Sequence, residues 1–176
     1  MKKSGFIVIC CMVSCVADAQ SKHAFFSYFS IQPNRSVYDR VYPYAYQNGL
    51  GLGLEAGFNT ETGISPLVDI TMDRLRFMDD DVFGTFEGKN LKKNNIRNLF
   101  FGTRIQIYKG LNVSFVMGPS FVDSYRYLGM KPGIFYVFGN NGRFQAMVCL
   151  THILASYGND IKPFGYVNVG IGVRMF

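Results

Sequence analysis

A nucleophile and a base lie close together in this 176-residue sequence at Thr151-His152-Ile153-Leu154-Ala155-Ser156. A His that takes the proton from a Ser hydroxyl would make an acyl-transfer centre, provided the two come within hydrogen-bond reach. Four residues of extended chain span about 13 Å, so His152 cannot activate Ser156 unless the chain bends sharply between them. His152 therefore reads as an ordinary residue near a strand end and Ser156 as the start of a loop, and no catalytic residue is assigned. Asp79-Asp80-Asp81, followed by Lys89, Lys92 and Lys93, is a second cluster of chemistry-bearing side chains. It lacks the Gly and the distal Glu of a known calcium loop, so it reads as a solvated loop. Phe83 and Phe86 within it would suit a protein or glycan contact. His23, His152 and Cys149 match no metal-ligand spacing, and no helix follows Asn48-Gly49, Gly51, Gly53 and Gly57 to make a phosphate cradle. Neither a metal nor a cofactor is expected.

The elements that must position these residues are strands. Tyr166 to Phe176 alternates apolar residues at odd positions (Val167, Val169, Ile171, Val173, Met175) with small or polar ones at even positions (Asn168, Gly170, Gly172, Arg174). A period of two puts the two sets on opposite faces of a sheet. The same reading gives eight strands: about Ala24 to Gln32, Gly49 to Phe58, Ile64 to Phe77, Arg97 to Tyr108, Leu111 to Phe121, Met130 to Phe138, Arg143 to Leu154 and Gly165 to Phe176. Connections after the second, fourth and sixth are turn-like: Asn59 to Gly63, Lys109-Gly110 and Gly139 to Gly142. Those after the first, third, fifth and seventh are longer: Pro33 to Asn48, Met78 to Ile96, Val122 to Gly129 and Ala155 to Phe164. Tight turns at one end and long loops at the other are the layout of a transmembrane barrel, with both chain ends on the turn side.

The amino terminus carries an export signal. Met1-Lys2-Lys3 is basic, Gly5 to Val16 is apolar but too short to span a bilayer, and Ala17-Asp18-Ala19 precedes Gln20 as a small-x-small cleavage site. Cleavage between Ala19 and Gln20 divides the chain into a signal peptide, 1–19, and a barrel domain, 20–176. Met12-Val13-Ser14-Cys15 resembles a lipoprotein box and offers a second processing route through Cys15, although Ala-x-Ala is the better match. Cleavage removes Cys10, Cys11 and Cys15, so Cys149 stands alone as a small packed side chain with no disulfide framework. It also removes two Lys and one Asp from 18 basic and 12 acidic residues, leaving a mild, dispersed excess of five positive charges. No clustered basic stripe argues for nucleic acid. Beyond the signal no run of 18 apolar residues exists, which excludes a helical membrane protein.

Alternation also sorts the faces. Leu50, Leu52 and Leu54, Leu99 and Phe101, Val113 and Phe115, and the odd positions of the last strand should face lipid. Glu55, Asp69, Asp73, Arg104 and Arg174 should then lie inside, with Gln106 and Asn168 among the other inward residues. An eight-stranded lumen is filled by side chains, and buried charges must pair, so Arg104 and Arg174 are expected to neutralise Glu55, Asp69 and Asp73 in a polar core. Phe58, Tyr108, Phe138 and Phe176 end the strands that run toward the turn side and suit an aromatic girdle. Phe77, Phe121, Tyr157 and Tyr166 occupy the opposite rim.

Through the Ala-Asp-Ala signal, the alternating strands, the loop asymmetry and the terminal Phe176, the segment from Gln20 to Phe176 resembles the small outer-membrane barrels of the OmpA/OmpX type. The resemblance implies an all-β, eight-stranded antiparallel up-and-down transmembrane β-barrel in the outer membrane of a Gram-negative cell. It also implies contact with outer-membrane lipids and lipopolysaccharide, and insertion through the barrel assembly machinery. Phe176 departs from the usual terminal pattern, since it falls out of phase with the odd apolar positions. The function expected is non-catalytic, a structural or surface-interaction role through the outer loops. One alternative is an enzyme acting on lipid A or phospholipid: some eight-stranded barrels are lipid A deacylases with a His and a Ser two residues apart, whereas here the separation is four. The other is a soluble exported barrel binding an apolar ligand, against which the inward charges argue.

Overall fold

Period-two alternation commits each strand to one wet and one oily face, and eight such strands can hide one set of side chains only by closing on themselves. In the computed structural model they do. It describes residues 25–39, 48–78, 91–122, 125–154 and 163–175, with side chains for all of these except 38–39, 76–78 and 91–94. The signal segment with Ala19 and Gln20, the Asp79-Asp80-Asp81 cluster, Phe83, Phe86, Lys89, Ser156, Tyr157 and Phe176 lie outside the described residues.

The strands are β1 (Phe25–Asp39), β2 (Asn48–Phe58), β3 (Ile64–Met78), β4 (Leu91–Tyr108), β5 (Leu111–Val122), β6 (Tyr125–Phe138), β7 (Phe144–Leu154) and β8 (Phe164–Arg174). Each pairs antiparallel with its sequence neighbour, and β1 closes the barrel against β8 from Tyr28↔Arg174 to Asp39↔Phe164. At the turn end, Gly110 at φ 81° and Gly139, Asn141 and Gly142 at φ 81°, 57° and 67° supply the left-handed backbone that reverses the chain in so few residues. Prolines mark several of the irregularities, while the register shifts between Ser36 and Tyr38 on β1 and between Gln106 and Tyr108 on β4 lie away from them. The β1–β8, β4–β5 and β6–β7 ladders each skip partners at Pro33, Pro119 and Pro132, and the β2–β3 ladder stops at Gly57↔Leu67 beside Pro66. A residue with no N–H cannot donate toward one of its two neighbours, so a ladder breaks on that side alone.

Several strands run further toward the loop end than alternation indicated. β1 continues through Pro33 to Asp39, β4 begins at Leu91 and β6 at Tyr125. The connection read as a long loop from Val122 to Gly129 is therefore two residues, 123–124, and the strict alternation of short and long connections fails there. Polar segments such as Lys92 to Asn95 carry no apolar stripe, yet backbone hydrogen bonding continues through them.

Leu50, Leu52, Ile70, Met72, Phe115, Ile134, Val148 and Ile171 are exposed on the outer wall. The wall facing the lumen buries Ser30, Gln32, Glu55, Thr71, Asn98 and Gln145. Glycine makes that inner wall thin where large side chains cross it. A Cβ at Gly51 would run into Asp73 Oδ1, one at Gly53 into Gln32 Nε2, and one at Gly129 would meet the Phe100 ring at 2.9 Å.

Candidate functional site

Among the described residues two ion pairs strap the lumen. Glu55 on β2 and Asp69 on β3 are register partners facing inward, and their cations come from further round the wall. Arg104 of β4 pairs with Glu55, and Lys131 of β6 places Nζ 2.7 Å from Asp69 Oδ2. The Arg104 guanidinium also lies over Phe135 at 4.5 Å, Phe26 at 5.0 Å and Tyr28 at 5.8 Å, and donates from Nη2 to Gln145 Oε1 at 3.1 Å. Aromatic faces and a planar cation attract one another, so Arg104 is both an ion-pair partner and a packing element.

Nearer the loop end, Asp73 is held by neutral donors. Asn34 Nδ2 donates to Oδ1 at 2.7 Å and Asn168 Nδ2 does so at 3.4 Å. Oδ2 accepts from Tyr166 at 2.8 Å, Asn98 at 3.1 Å and Thr71 at 3.2 Å. Thr151 extends the knot by donating to Asn168 Oδ1 at 2.9 Å. Residues of β1, β3, β4 and β8 thus converge on one carboxylate, with β7 joined through Asn168, and the low dielectric of a barrel interior makes this a rigid join. Above it Leu75, Ile96, Val122, Tyr127, Ile153 and Phe164 form a buried apolar cluster across the lumen. Below the ion pairs the lumen opens at the turn end into a cavity of about 470 Å³, whose lining includes Tyr28, Ser65, Arg104, Asn112 and Arg174.

Of the residues expected inside, Glu55, Asp69, Asp73 and Arg104 are buried together. Arg174 is not with them. It lies at the turn end, donating from Nη1 to the Asn141 carbonyl at 2.7 Å and from Nη2 to the Phe25 carbonyl at 3.3 Å, because β8 reaches the barrel mouth there. Gln106 is likewise exposed at that mouth and not enclosed. The second cation of the core is Lys131, flanked by Met130 and Pro132, and its phase with Gly129, Gly133 and Phe135 is the signal that could have found it. Tyr166, placed on the outer rim by its position near a strand end, is fully buried and bonded to Asp73. It shares the even phase of Asn168 and Gly170.

Phe58, Tyr108 and Phe138 stand on the outer wall at the turn end. Phe58 packs edge-on against Phe25 at 5.4 Å, and Phe138 stacks on Tyr136 and Phe144. Phe121 is on the outer wall at the other end. Cys149 is buried among Phe135 and Met147. His152 has the even phase of Val148 and Leu150, which face outward, so its ring points away from the lumen carboxylates.

A closed antiparallel barrel of eight strands with an apolar outer wall and a charged lumen is the fold of the small outer-membrane barrels. Ail, the attachment invasion locus protein of Yersinia pestis, solved in a phospholipid bilayer nanodisc, is similar with a TM-score of 0.56 at 15% identity, covering 85% of this chain and 99% of that one. Ail in complex with the heparin analogue sucrose octasulfate gives 0.54 at 15% identity, over 86% and 99% of the two chains. Neisserial surface protein A gives 0.54 at 11% identity, over 85% and 95%. No family model and no curated protein matches the sequence.

Proposed function

We propose that this chain is a non-catalytic protein of the outer membrane, exported by its signal segment, that acts at the cell surface through its loop end. The observation that carries the reading is the division of the barrel wall. Exposed Leu, Ile, Phe and Met cover the outside, while Glu55, Asp69, Asp73, Arg104 and Lys131 are inside. That arrangement is stable in lipid and unstable in water, where the outer residues would form one large apolar patch. Among the described residues the lumen is filled by ion pairs, amides and a packed apolar cluster, and the cavity at its turn end is lined in part by Ser65, Arg104, Asn112 and Arg174. This counts against a soluble carrier of an apolar ligand and supports a plugged barrel without conductance. His152 on the outer wall counts against an acyl-transfer centre built on the lumen carboxylates. The names of the similar structures, an attachment invasion locus protein and a surface protein, accord with a surface role. Envelope fractionation with electrophoresis of boiled and unboiled samples tests the reading. Recovery in the outer membrane with a mobility shift on boiling is expected, and a soluble periplasmic protein without a shift would overturn it.

A further inference from the structure

Charge on the outer wall is unevenly placed. Among the described side chains the acidic residues are Glu55, Asp69 and Asp73 in the lumen and Glu61 in a turn. At the loop end of the outer wall Arg74, Arg97 and Arg126 are all exposed. Register brings them together. Arg97 of β4 is the partner of Phe121 on β5, and Phe121 is the partner of Arg126 on β6, so the three form one row across three strands. Met72 of β3 is the other partner of Arg97, which puts Arg74 two residues further toward the loops on the adjoining strand. Strands lie about 4.8 Å apart, so the Arg97 and Arg126 backbones are about 10 Å from one another, and the two long side chains can close on one ligand across the Phe121 ring.

The row sits on the edge of the oily band. Below it on the same face are Phe101, Met117 and Leu128, with Met72 level with Arg97 and just below Arg74, all exposed. From Ile107 at the turn end to Arg97, β4 rises over ten residues, about 33 Å along the strand, which at a tilt of about 40° is about 25 Å of height, that of a lipid-facing band. A ligand here meets hydrocarbon on one side and guanidinium groups on the other. Arginine presents a planar fork of donors that binds phosphate oxygens two at a time, and it does so best where apolar surroundings exclude water.

We infer that Arg97 and Arg126, flanking Phe121 and assisted by Arg74, form a binding site for the phosphate groups of lipid A in the outer leaflet, whose acyl chains lie on Met72, Phe101 and Leu128. The inference rests on the outer-membrane reading above and adds to it a lipid, a headgroup chemistry and named residues. Asp79, Asp80, Asp81 and Glu87 of the 79–90 connection and Asp123 of the 123–124 connection lie outside the described residues. If they neutralised the arginines, the lipid preference below would be absent.

The test uses the mature protein folded in detergent micelles and titrated, by native mass spectrometry, with bis-phosphorylated lipid A and with the same lipid A stripped of phosphate. The wild-type protein should prefer the phosphorylated lipid by about tenfold or more, as two charge-assisted contacts imply. R97Q/R126Q should lose that preference, Arg126→Gln alone should lose part of it, and R97K/R126K should fall between, since Lys keeps charge without the fork. Arg143→Gln, at the turn end, should leave it unchanged. Equal binding of both lipids by the wild type, or a preference kept by R97Q/R126Q, would overturn the site. Boiling shift and outer-membrane recovery are read on every variant. A shifted, membrane-recovered protein without lipid preference sinks the lipid A site alone, whereas a soluble unshifted protein sinks the outer-membrane reading with it.

Discussion

Lys131 on β6 crosses the lumen to Asp69 on β3, with 2.7 Å between Nζ and Oδ2 and both side chains buried. The strands are not neighbours, so the pair ties parts of the wall that no ladder hydrogen bond connects. Replacing Lys131 with Met leaves the Asp69 carboxylate buried without a cation, which costs about 3–5 kcal/mol where such pairs are broken. Removing both charges in D69L/K131M removes the uncompensated ion, so the double variant should be markedly more stable than K131M. The check is the urea concentration at which the unboiled band loses its folded mobility. A double variant no better than the single would show that the two charges do not compensate one another.

Gly51 on the inner wall should be less replaceable than Gly63 in a turn. At Gly51 a Cβ collides with Asp73 Oδ1 and comes within 3.2 Å of Asn34 Nδ2, the centre of the amide–carboxylate knot. Gly63 has φ 74° but open space around it. Gly51→Ala should therefore lower stability by about 1–3 kcal/mol through overpacking. Gly63→Ala should cost only about 1 kcal/mol of backbone strain. Folded fractions in the same urea series rank the two. Equal effects would mean that Asp73 can move aside without loss.

Alternation made the barrel legible because Leu50, Leu52 and Leu54, or Val169, Ile171 and Val173, repeat one oily face without interruption. The lumen was harder to read for a physical reason. Asn34, Asn98, Gln145 and Tyr166 bear on it as strongly as the acids do, but neutral donors in a strand look the same whether they meet water or a buried carboxylate. Lys131 is hard to see in the sequence because Met130 and Pro132 flank it and interrupt the oily alternation. Arg174 was misplaced because alternation assigns a face and not a height: it has the inward phase but sits at the mouth. The extensions of β1, β4 and β6 escaped since backbone pairing above an oily band leaves no hydrophobic trace.

Ile70 lies on the outer wall and Thr71 beside it in the lumen, so the two report opposite environments one residue apart. Ile70→Arg puts a charge into the lipid-facing wall two register steps inside the band's edge, at a cost of about 1–2 kcal/mol, between the interface and midplane values. Arg97, two residues of register away on the next strand and at the band's edge, is already tolerated by the wild type. The expected result is that I70R folds into lipid vesicles at lower yield than wild type while Ile70→Leu is unaffected. Equal yields for the Arg and Leu variants would mean that this wall does not face hydrocarbon.

The Tyr166 hydroxyl donates to Asp73 Oδ2 at 2.8 Å, and Asn98 Nδ2 donates both to that oxygen and to the Tyr166 hydroxyl, at 3.1 Å each. Tyr166→Phe removes one of five donors, and the amide of Asn98 stays in place to satisfy the same oxygen. The loss should be modest, about 1–2 kcal/mol. Asp73→Leu removes the shared acceptor and leaves several buried donors facing a hydrocarbon side chain, so it should be the more damaging change. The two effects must be coupled if the hydroxyl acts through the carboxylate: in the D73L background, Tyr166→Phe should cost close to nothing. A double-mutant cycle on the urea midpoint measures this. If Tyr166→Phe is as damaging in D73L as in the wild type, the hydroxyl works through Asn98 or through packing of its ring with Phe164, and the knot does not depend on the carboxylate.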